Sequence, residues 1–211
     1  MKLYYSPNSP YVRKVLVCAY ELGLAGRIEL LDSAANPVAR DQAIVAHNPL
    51  GQVPTLLTDD GGILADSRVI CEYLDDLGNG ALFPAGRKAR WRALADQSLA
   101  DGMLVATLLT RYETFMRPEA LRWPEWIAGQ KEKIFSGLAY FNGVAGALAG
   151  RVDIGTITLA SALSYLDLRA PDLDWRARAP ALAVWYAVFE ARPSMKATVL
   201  GVAPPVPVTP R

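Results

Sequence analysis

Over the first 80 residues, short apolar runs alternate with amphipathic stretches. The run KLYY, residues 2–5, is rich in strand formers and stops at Ser6-Pro7, so it reads as a β-strand. Between residues 10 and 22 the apolar residues Val12, Val15, Leu16, Ala19 and Leu22 recur at helical spacing. Pro10 suits a first helical position and Gly23 a stop. RIELL (27–31) predicts a second strand, and residues 38–46 a short irregular helix. VPTLLT (53–58), the turn DDGG and ILA (63–65) predict a hairpin. Ser67 is expected to cap a further helix with the buried stripe Val69, Ile70, Tyr73, Leu74 and Leu77. The order is β-α-β-α-β-β-α. Its first β-α-β needs a right-handed crossover, and the hairpin adds an antiparallel edge.

After LGNGALFPAGR (77–87), rich in Gly and Pro, strand signals nearly vanish and four helical patterns follow, at 90–116, 124–148, 154–169 and 181–191. Asp153 is placed to cap the third, with Thr156 standing where a fuller capping box has Glu or Gln. The tail APPVPVTPR (203–211) is Pro-rich and expected to be extended. The division predicted is an α/β domain at 1–78, a linker at 79–87 and an all-α domain at 88–211. Charge changes sign near the same boundary. Residues 1–80 carry 6 basic and 10 acidic side chains, and residues 81–211 carry 16 and 11.

With 211 residues, 52% hydrophobic and 20% charged, the chain has material for a large core. No apolar run approaches the ~20 residues of a membrane span, and the N-terminus turns polar at Ser6. A cytoplasmic protein is therefore expected, with no membrane partner. A net charge of +1 gives no argument for nucleic acid. Cys18 and Cys71 are no disulfide framework, and with His47 the only histidine the ligand count leaves no zinc site. Both cysteines fall on apolar helical registers and read as buried and inert.

The chemistry concentrates in five segments: SPYVRKV (9–15), NPLGQVPTL (48–56), DSRVICEYLD (66–75), ITLASALSYLDLR (157–169) and WYAVFEARPSM (185–195). They span nearly the whole chain. In them the sequence resembles the cytosolic glutathione transferases, and within that family the bacterial serine-type members, which ADG (100–102) and RYETFMRP (111–118) also resemble. The resemblance implies a thioredoxin-like N-terminal domain that binds glutathione, followed by an all-helical C-terminal domain. It also implies a cytoplasmic homodimer of detoxifying type, paired through the helices on either side of the linker, with Asp101 reaching toward the partner's glutathione. Implied binding residues are Gln52, Val53 and Pro54, and then Asp66 and Ser67. Pro54 is the family's cis-proline, which presents the Val53 backbone to a peptide ligand like an extra strand residue. The plainer alternative is a trans proline at a strand start. Ser67 can donate a hydroxyl at a helix N-terminus, where a free carboxylate binds well, and Asp66 can accept from an α-ammonium. Ser67 also reads simply as an N-cap. Where many relatives carry a lysine for the glycine carboxylate this chain has Gln52, with Arg40 as a compensating cation.

SPYV (9–12) stands where a glutaredoxin has two cysteines, and both sulfurs are absent. A free thiol has a pKa of ~8.5, so little is thiolate at pH 7. Lowering it by ~2 units requires ~2.7 kcal/mol of preference for the anion. A hydroxyl donating to a charged sulfur supplies ~1.5–3 kcal/mol, and a helix N-terminus adds ~0.3–1 kcal/mol. Ser9 is therefore the expected catalytic residue, holding a thiolate that glutathione brings. The plainer role of Ser9 is an N-cap ahead of Pro10. Tyr5 is the rival hydroxyl, on the face of the strand opposite Tyr4.

The electrophile is expected between the domains, against Tyr11, Leu108, Tyr112 and Phe115, on a helical stripe that also contains Leu104. Taken alone, that stripe equally describes helix–helix core. Arg111, Glu113 and Arg117 interrupt it as charges, read either as an internal ion network or as selection for an anionic substrate. The function expected is addition of the glutathione thiolate to an electrophile. The alternatives are a non-catalytic glutathione-binding or protein-interaction dimer, for which Gln52 and the weakened capping box speak, and a glutathione-dependent peroxide or disulfide reductase.

Overall fold

A computed structural model describes residues 1–205 and the backbone of 208 and 209. The elements are β1 (Lys2–Tyr5), α1 (Pro10–Glu21), β2 (Glu29–Asp32), α2 (Gln42–Val45), β3 (Thr55–Leu57), β4 (Ile63–Leu64), α3 (Ser67–Leu77), α4 (Arg87–Arg111), α5 (Pro124–Gly143), α6 (Ile154–Arg169), α7 (Trp175–Arg178), α8 (Pro180–Glu190), α9 (Pro193–Lys196) and β5 (Val208–Thr209). They form two compact units: residues 1–83 together with 192–211, and residues 84–191.

In the first unit the sheet order is β4-β3-β1-β2-β5. β1 runs parallel to β2, with Leu3 opposite Leu30, and antiparallel to β3, with Leu3 opposite Leu56. Those three leucines are fully buried, so one layer of the core follows from the strand register. The crossover helix α1 covers the sheet with Val12, Val15, Leu16 and Ala19, the residues its spacing predicts. This is the predicted thioredoxin-like order of elements.

Three details differ from the sequence reading. Val69 is 46% exposed, and its predicted place in the α3 stripe is taken by Cys71, because a register of Ile70, Cys71 and Leu74 already meets the core. Asp66, not Ser67, is the N-cap of α3, accepting from the Arg68 N–H at 2.8 Å. Finally, residues 192–211 do not extend the helical domain predicted to run to 211. They belong to the first unit, because polar anchors tie them to α1. Arg192 and Ser194 bond the Glu21 carboxylate, the Arg13 guanidinium donates to the Met195 carbonyl at 3.0 Å, and the Gly201 N–H donates to the Pro7 carbonyl at 2.9 Å. β5 then pairs parallel with β2. Residues 206, 207, 210 and 211 of the predicted extended tail lie outside the described residues.

The second unit is helical throughout. α6 is its most buried element, with every residue from Ile154 to Leu166 inside. Its start is a complete capping box: Asp153 accepts from the Gly155 and Thr156 N–H groups, and Thr156 Oγ1 accepts from the Asp153 N–H at 3.0 Å. The box that looked weakened in sequence is intact, since a threonine hydroxyl reaches where Glu was expected. Arg151 bonds both Asp153 and the buried Asp96 of α4, joining the beginnings of the two helices. α4 ends in a π-helical turn, Tyr112–Met116. Among the described residues no helix is long and apolar enough to cross a membrane.

Candidate functional site

In the first unit, the end of β1, the loop 6–9 and the start of α1 bring the serine, the rival tyrosine and a helix N-terminus together. Ser9 is the N-cap of α1 in extended conformation, and its Oγ accepts from the Val12 N–H at 3.3 Å. A hydroxyl that accepts there still has its own proton, and that proton has no acceptor among the described residues. The N-cap role and the thiolate role are thus compatible on one atom. The turn holding it is closed by Ser9 N–H to Ser6 C=O, 3.1 Å, and by Arg13 N–H to Ser9 C=O, 3.0 Å.

Tyr4 and Tyr5 are both buried, on the opposite faces expected. The Tyr4 hydroxyl pairs with His47 Nδ1 at 3.1 Å, which gives the single histidine a structural partner. The Tyr5 hydroxyl is buried with no partner among the described residues, and burial, aided by Asp32, pushes its pKa up. It borders a small pocket that Ser6, Ser9, Arg13, Thr198 and Val202 also line. A raised tyrosine pKa keeps the proton on the oxygen, so Tyr5 is a donor and no base.

The binding residues read from the sequence fall on the loops beside this strand. The Val53–Pro54 peptide is cis. Val53 lies just ahead of β3, outside the paired register that starts at Thr55. Below it, Asn48 Nδ2 donates to the Gln52 carbonyl and to Thr55 Oγ1, and Thr55 Oγ1 donates in turn to the Gln52 carbonyl, fixing the turn from within. The Gln52 side chain is exposed. Arg40 comes to the same loop, bonding the Pro49 carbonyl and lying beside Gly51, where an added Cβ would meet its Nε at 3.4 Å. Gly51 has φ +63°, which also restricts that position to glycine. At α3 the exposed Asp66 caps the helix and Ser67 follows at its first turn, 3% exposed, its hydroxyl without a partner among the described residues.

The two cysteines are buried in α1 and α3, and burial, with Cys71 beside it, drives the Cys18 thiol well above its ordinary value. Cys18 therefore offers no thiolate at neutral pH.

Of the residues read as an electrophile cleft, Tyr11 is half-buried in the first unit with Lys14 Nζ 5.9 Å from its ring centre. In the second unit Leu104 is fully buried core, Leu108 and Tyr112 are half-buried, and Phe115 is 67% exposed. The stripe therefore emerges from the helix core toward its C-terminal end. Asp101 is buried. What sequence reasoning missed is the polar anchoring of 192–201 to α1. Its signals were the charges Arg13 and Glu21 on a helix where Lys14 is the only other charged residue. No group of three or more His, Cys, Asp or Glu side chains able to hold a metal occurs among the described residues.

The glutathione S-transferase N-terminal domain profile matches residues 8–77, and the corresponding C-terminal domain profile matches residues 124–187. The chain is 33% identical to the uncharacterized GST-like protein YibF of Escherichia coli, over 83% of this chain and 86% of that one. A crystal structure of a glutathione transferase family member from Pseudomonas fluorescens Pf-5 with bound glutathione superimposes with a TM-score of 0.93, at 45% identity, covering 95% of this chain and 99% of that one. A second crystal structure described in the same words, with bound S-(propanoic acid)-glutathione, gives a TM-score of 0.88 at 44% identity, covering 96% and 100%. By its two matched domains, its sheet order and these likenesses, the chain belongs to the glutathione S-transferase family.

Proposed function

We propose that this protein is a serine-type glutathione transferase that binds glutathione on its first unit, stabilises the thiolate through Ser9 and adds it to an electrophile held by the helical unit. The observation that carries the reading is the Ser9 hydroxyl, fixed at the N-terminus of α1 with its proton uncommitted. Glutathione supplies the thiol. Ser9 donates to the sulfur, and the α1 N-terminus favours the anion. The displaced proton leaves to solvent. Val53 offers its backbone to the cysteinyl part. Ser67 and the α3 N-terminus receive the γ-glutamyl carboxylate, and Asp66 its ammonium. Gln52 and Arg40 lie on the loop proposed for the glycine end. Leu108, Tyr112 and Phe115 in the helical unit are proposed to hold the electrophile.

Conjugation is preferred over binding alone because the Pseudomonas family member binds S-(propanoic acid)-glutathione, a glutathione already joined to carbon at sulfur. The burial of Cys18 and Cys71, with the Cys18 thiol pushed well above its ordinary value, favours a borrowed sulfur over disulfide reduction by the protein's own thiols. A homodimer belongs to the same proposal: Val69 on α3 and Trp91 and Leu99 on α4 are exposed apolar side chains on the two helices through which relatives are expected to pair. Light scattering of the purified chain checks the dimer. Calorimetry with glutathione, followed by absorbance titration of the bound thiol, checks the rest. A bound thiol that titrates like free glutathione would leave the protein a binding module, and no heat at all would end the proposal.

A further inference from the structure

At the C-terminal ends of α4 and α6 stand two guanidiniums, Arg111 and Arg169, with no carboxylate partner among the described residues. Their position follows from how α4 and α6 start. A Cβ added at Gly155 would come within 2.7 Å of the Ala93 carbonyl, and Arg151 reaches Asp96 at 2.8 Å, so the start of α6 lies level with residues 93–96 of α4. At about 1.5 Å per residue both helices then run to their C-terminal ends at Arg111 and Arg169.

There the charges that interrupt the apolar stripe separate into two kinds. Glu113 is buried and accepts from Arg117 Nε at 2.7 Å and from the Trp123 N–H at 2.9 Å, an ion network internal to the turn. Arg111 takes no part in it. Its guanidinium carbon lies 3.6 Å from the centre of the exposed Phe115 ring. Arg169 stands with its guanidinium carbon 6.0 Å from the Tyr165 ring centre, and its Nε–H is buried without an acceptor among the described residues. Burial raises the pKa of Tyr165, while the charge of Arg169 and its hydrogen bond to the Tyr165 hydroxyl lower it, as does Arg111, and Tyr112 raises it, so these four groups share one neighbourhood.

Cations at helix C-terminal ends are favoured by the macrodipole and can bond the last carbonyls. That accounts for two arginines but not for a buried N–H left without an acceptor, since a capping arginine would spend its donors on those carbonyls. The π-helical turn that follows Arg111 presents Tyr112 and Phe115 at the same end, and such turns are frequent at functional sites.

We infer that the C-terminal ends of α4 and α6 form an anion subsite, in which Arg111 and Arg169, with the hydroxyls of Tyr112 and Tyr165 and the face of Phe115, hold a carboxylate carried by the electrophile. A planar carboxylate matches the guanidinium fork, and the aromatic face orients Arg111 without neutralising it. The substrate class is a small carboxylate-bearing electrophile, such as an α,β-unsaturated acid. This rests on the transferase reading above and narrows it.

The test is calorimetry on the full chain with three probes: glutathione, S-propylglutathione and S-(2-carboxyethyl)glutathione. The carboxyethyl conjugate is expected to bind at least about tenfold more tightly than the propyl one. Arg169→Met and Arg111→Met should each cut that advantage several-fold and leave glutathione itself unchanged, with Arg169→Lys retaining part of it. Equal affinity for the two conjugates in the unmodified chain would overturn the subsite, a comparison that needs no variant to fold. An advantage that survives both Arg→Met substitutions together would overturn it as well. Glutathione binding without the advantage removes only the subsite, whereas failure of glutathione to bind removes the transferase reading and the subsite with it.

Discussion

At the scale of single residues, Ser9 has to do two things with one oxygen. It accepts from Val12 to close the helix start, and it keeps a proton for the ligand. Replacing it with Ala removes a hydrogen bond to a charge, about 1.5–3 kcal/mol, so the thiol pKa of bound glutathione should rise by about 1–2 units. The sign follows from the thiolate being the nucleophile. In the parent protein the conjugation rate falls as pH drops through the lowered bound pKa, and in Ser9→Ala the same fall begins about 1–2 units higher. Glutathione affinity should change little, since its peptide ends are held elsewhere. Absorbance titration of the bound thiol checks the shift, and a titration curve unmoved by the substitution would pass the role to Tyr5. That residue's buried, partnerless hydroxyl would then be the donor.

Among the elements, α6 shows what one cap can control. Asp153 closes the capping box and also takes the Arg151 guanidinium that binds Asp96. Asp153→Ala should cost about 1–2 kcal/mol through the lost cap and lower the melting temperature by several degrees. Differential scanning calorimetry reads this directly. Gly155→Ala should be worse than a usual glycine-to-alanine change inside a helix, because the new methyl meets the Ala93 carbonyl at 2.7 Å. Elements with clear period were legible in sequence. Lys2–Tyr5 and Ile154–Arg169 lie where the pattern placed them, and α1 ends one residue early. Short elements were not. The helix predicted at 38–46 shrinks to Gln42–Val45, since Asp41 caps a single turn by accepting from the Ala43 N–H. The cap of α3 was misplaced by one residue because Asp66 and Ser67 are equally good capping types, and only backbone conformation separates them. For the site, the family resemblance named the candidate residues. Which charges were spent and which were free was invisible, because Glu113 finds Trp123 ten residues on and Arg111 finds no carboxylate among the described residues.

For the molecule as a whole, the consequential feature is that the chain returns to its first unit after leaving it. Residues from Arg192 onward fasten to α1 by an ion pair at Glu21 and by the buried Arg13 guanidinium, and α1 is the helix whose N-terminus carries Ser9. The hydrogen bond from Arg192, outweighing burial and helped by Ser194, holds the Glu21 carboxyl below its usual range. A carboxyl lowered in the folded state contributes stability above its unfolded pKa of ~4.3 and loses it as pH falls through the folded value. The attachment of 192–201 should therefore hold at neutral pH and weaken in acid below about pH 4. Hydrogen exchange of the Lys196, Ala197 and Gly201 amides reports it, and Glu21→Gln should bring the same loosening to neutral pH at a cost of about 1–2 kcal/mol. Truncation after Ala191 is the stronger form of the experiment. It leaves the Arg13 guanidinium without the Met195 carbonyl and strips β5 from β2. The α1 amides should then exchange markedly faster while those of α6, whose cap and core lie within 84–191, keep their protection. Equal loss of protection in both helices would show that the units unfold as one, and unchanged α1 exchange would show that the return segment holds nothing in place.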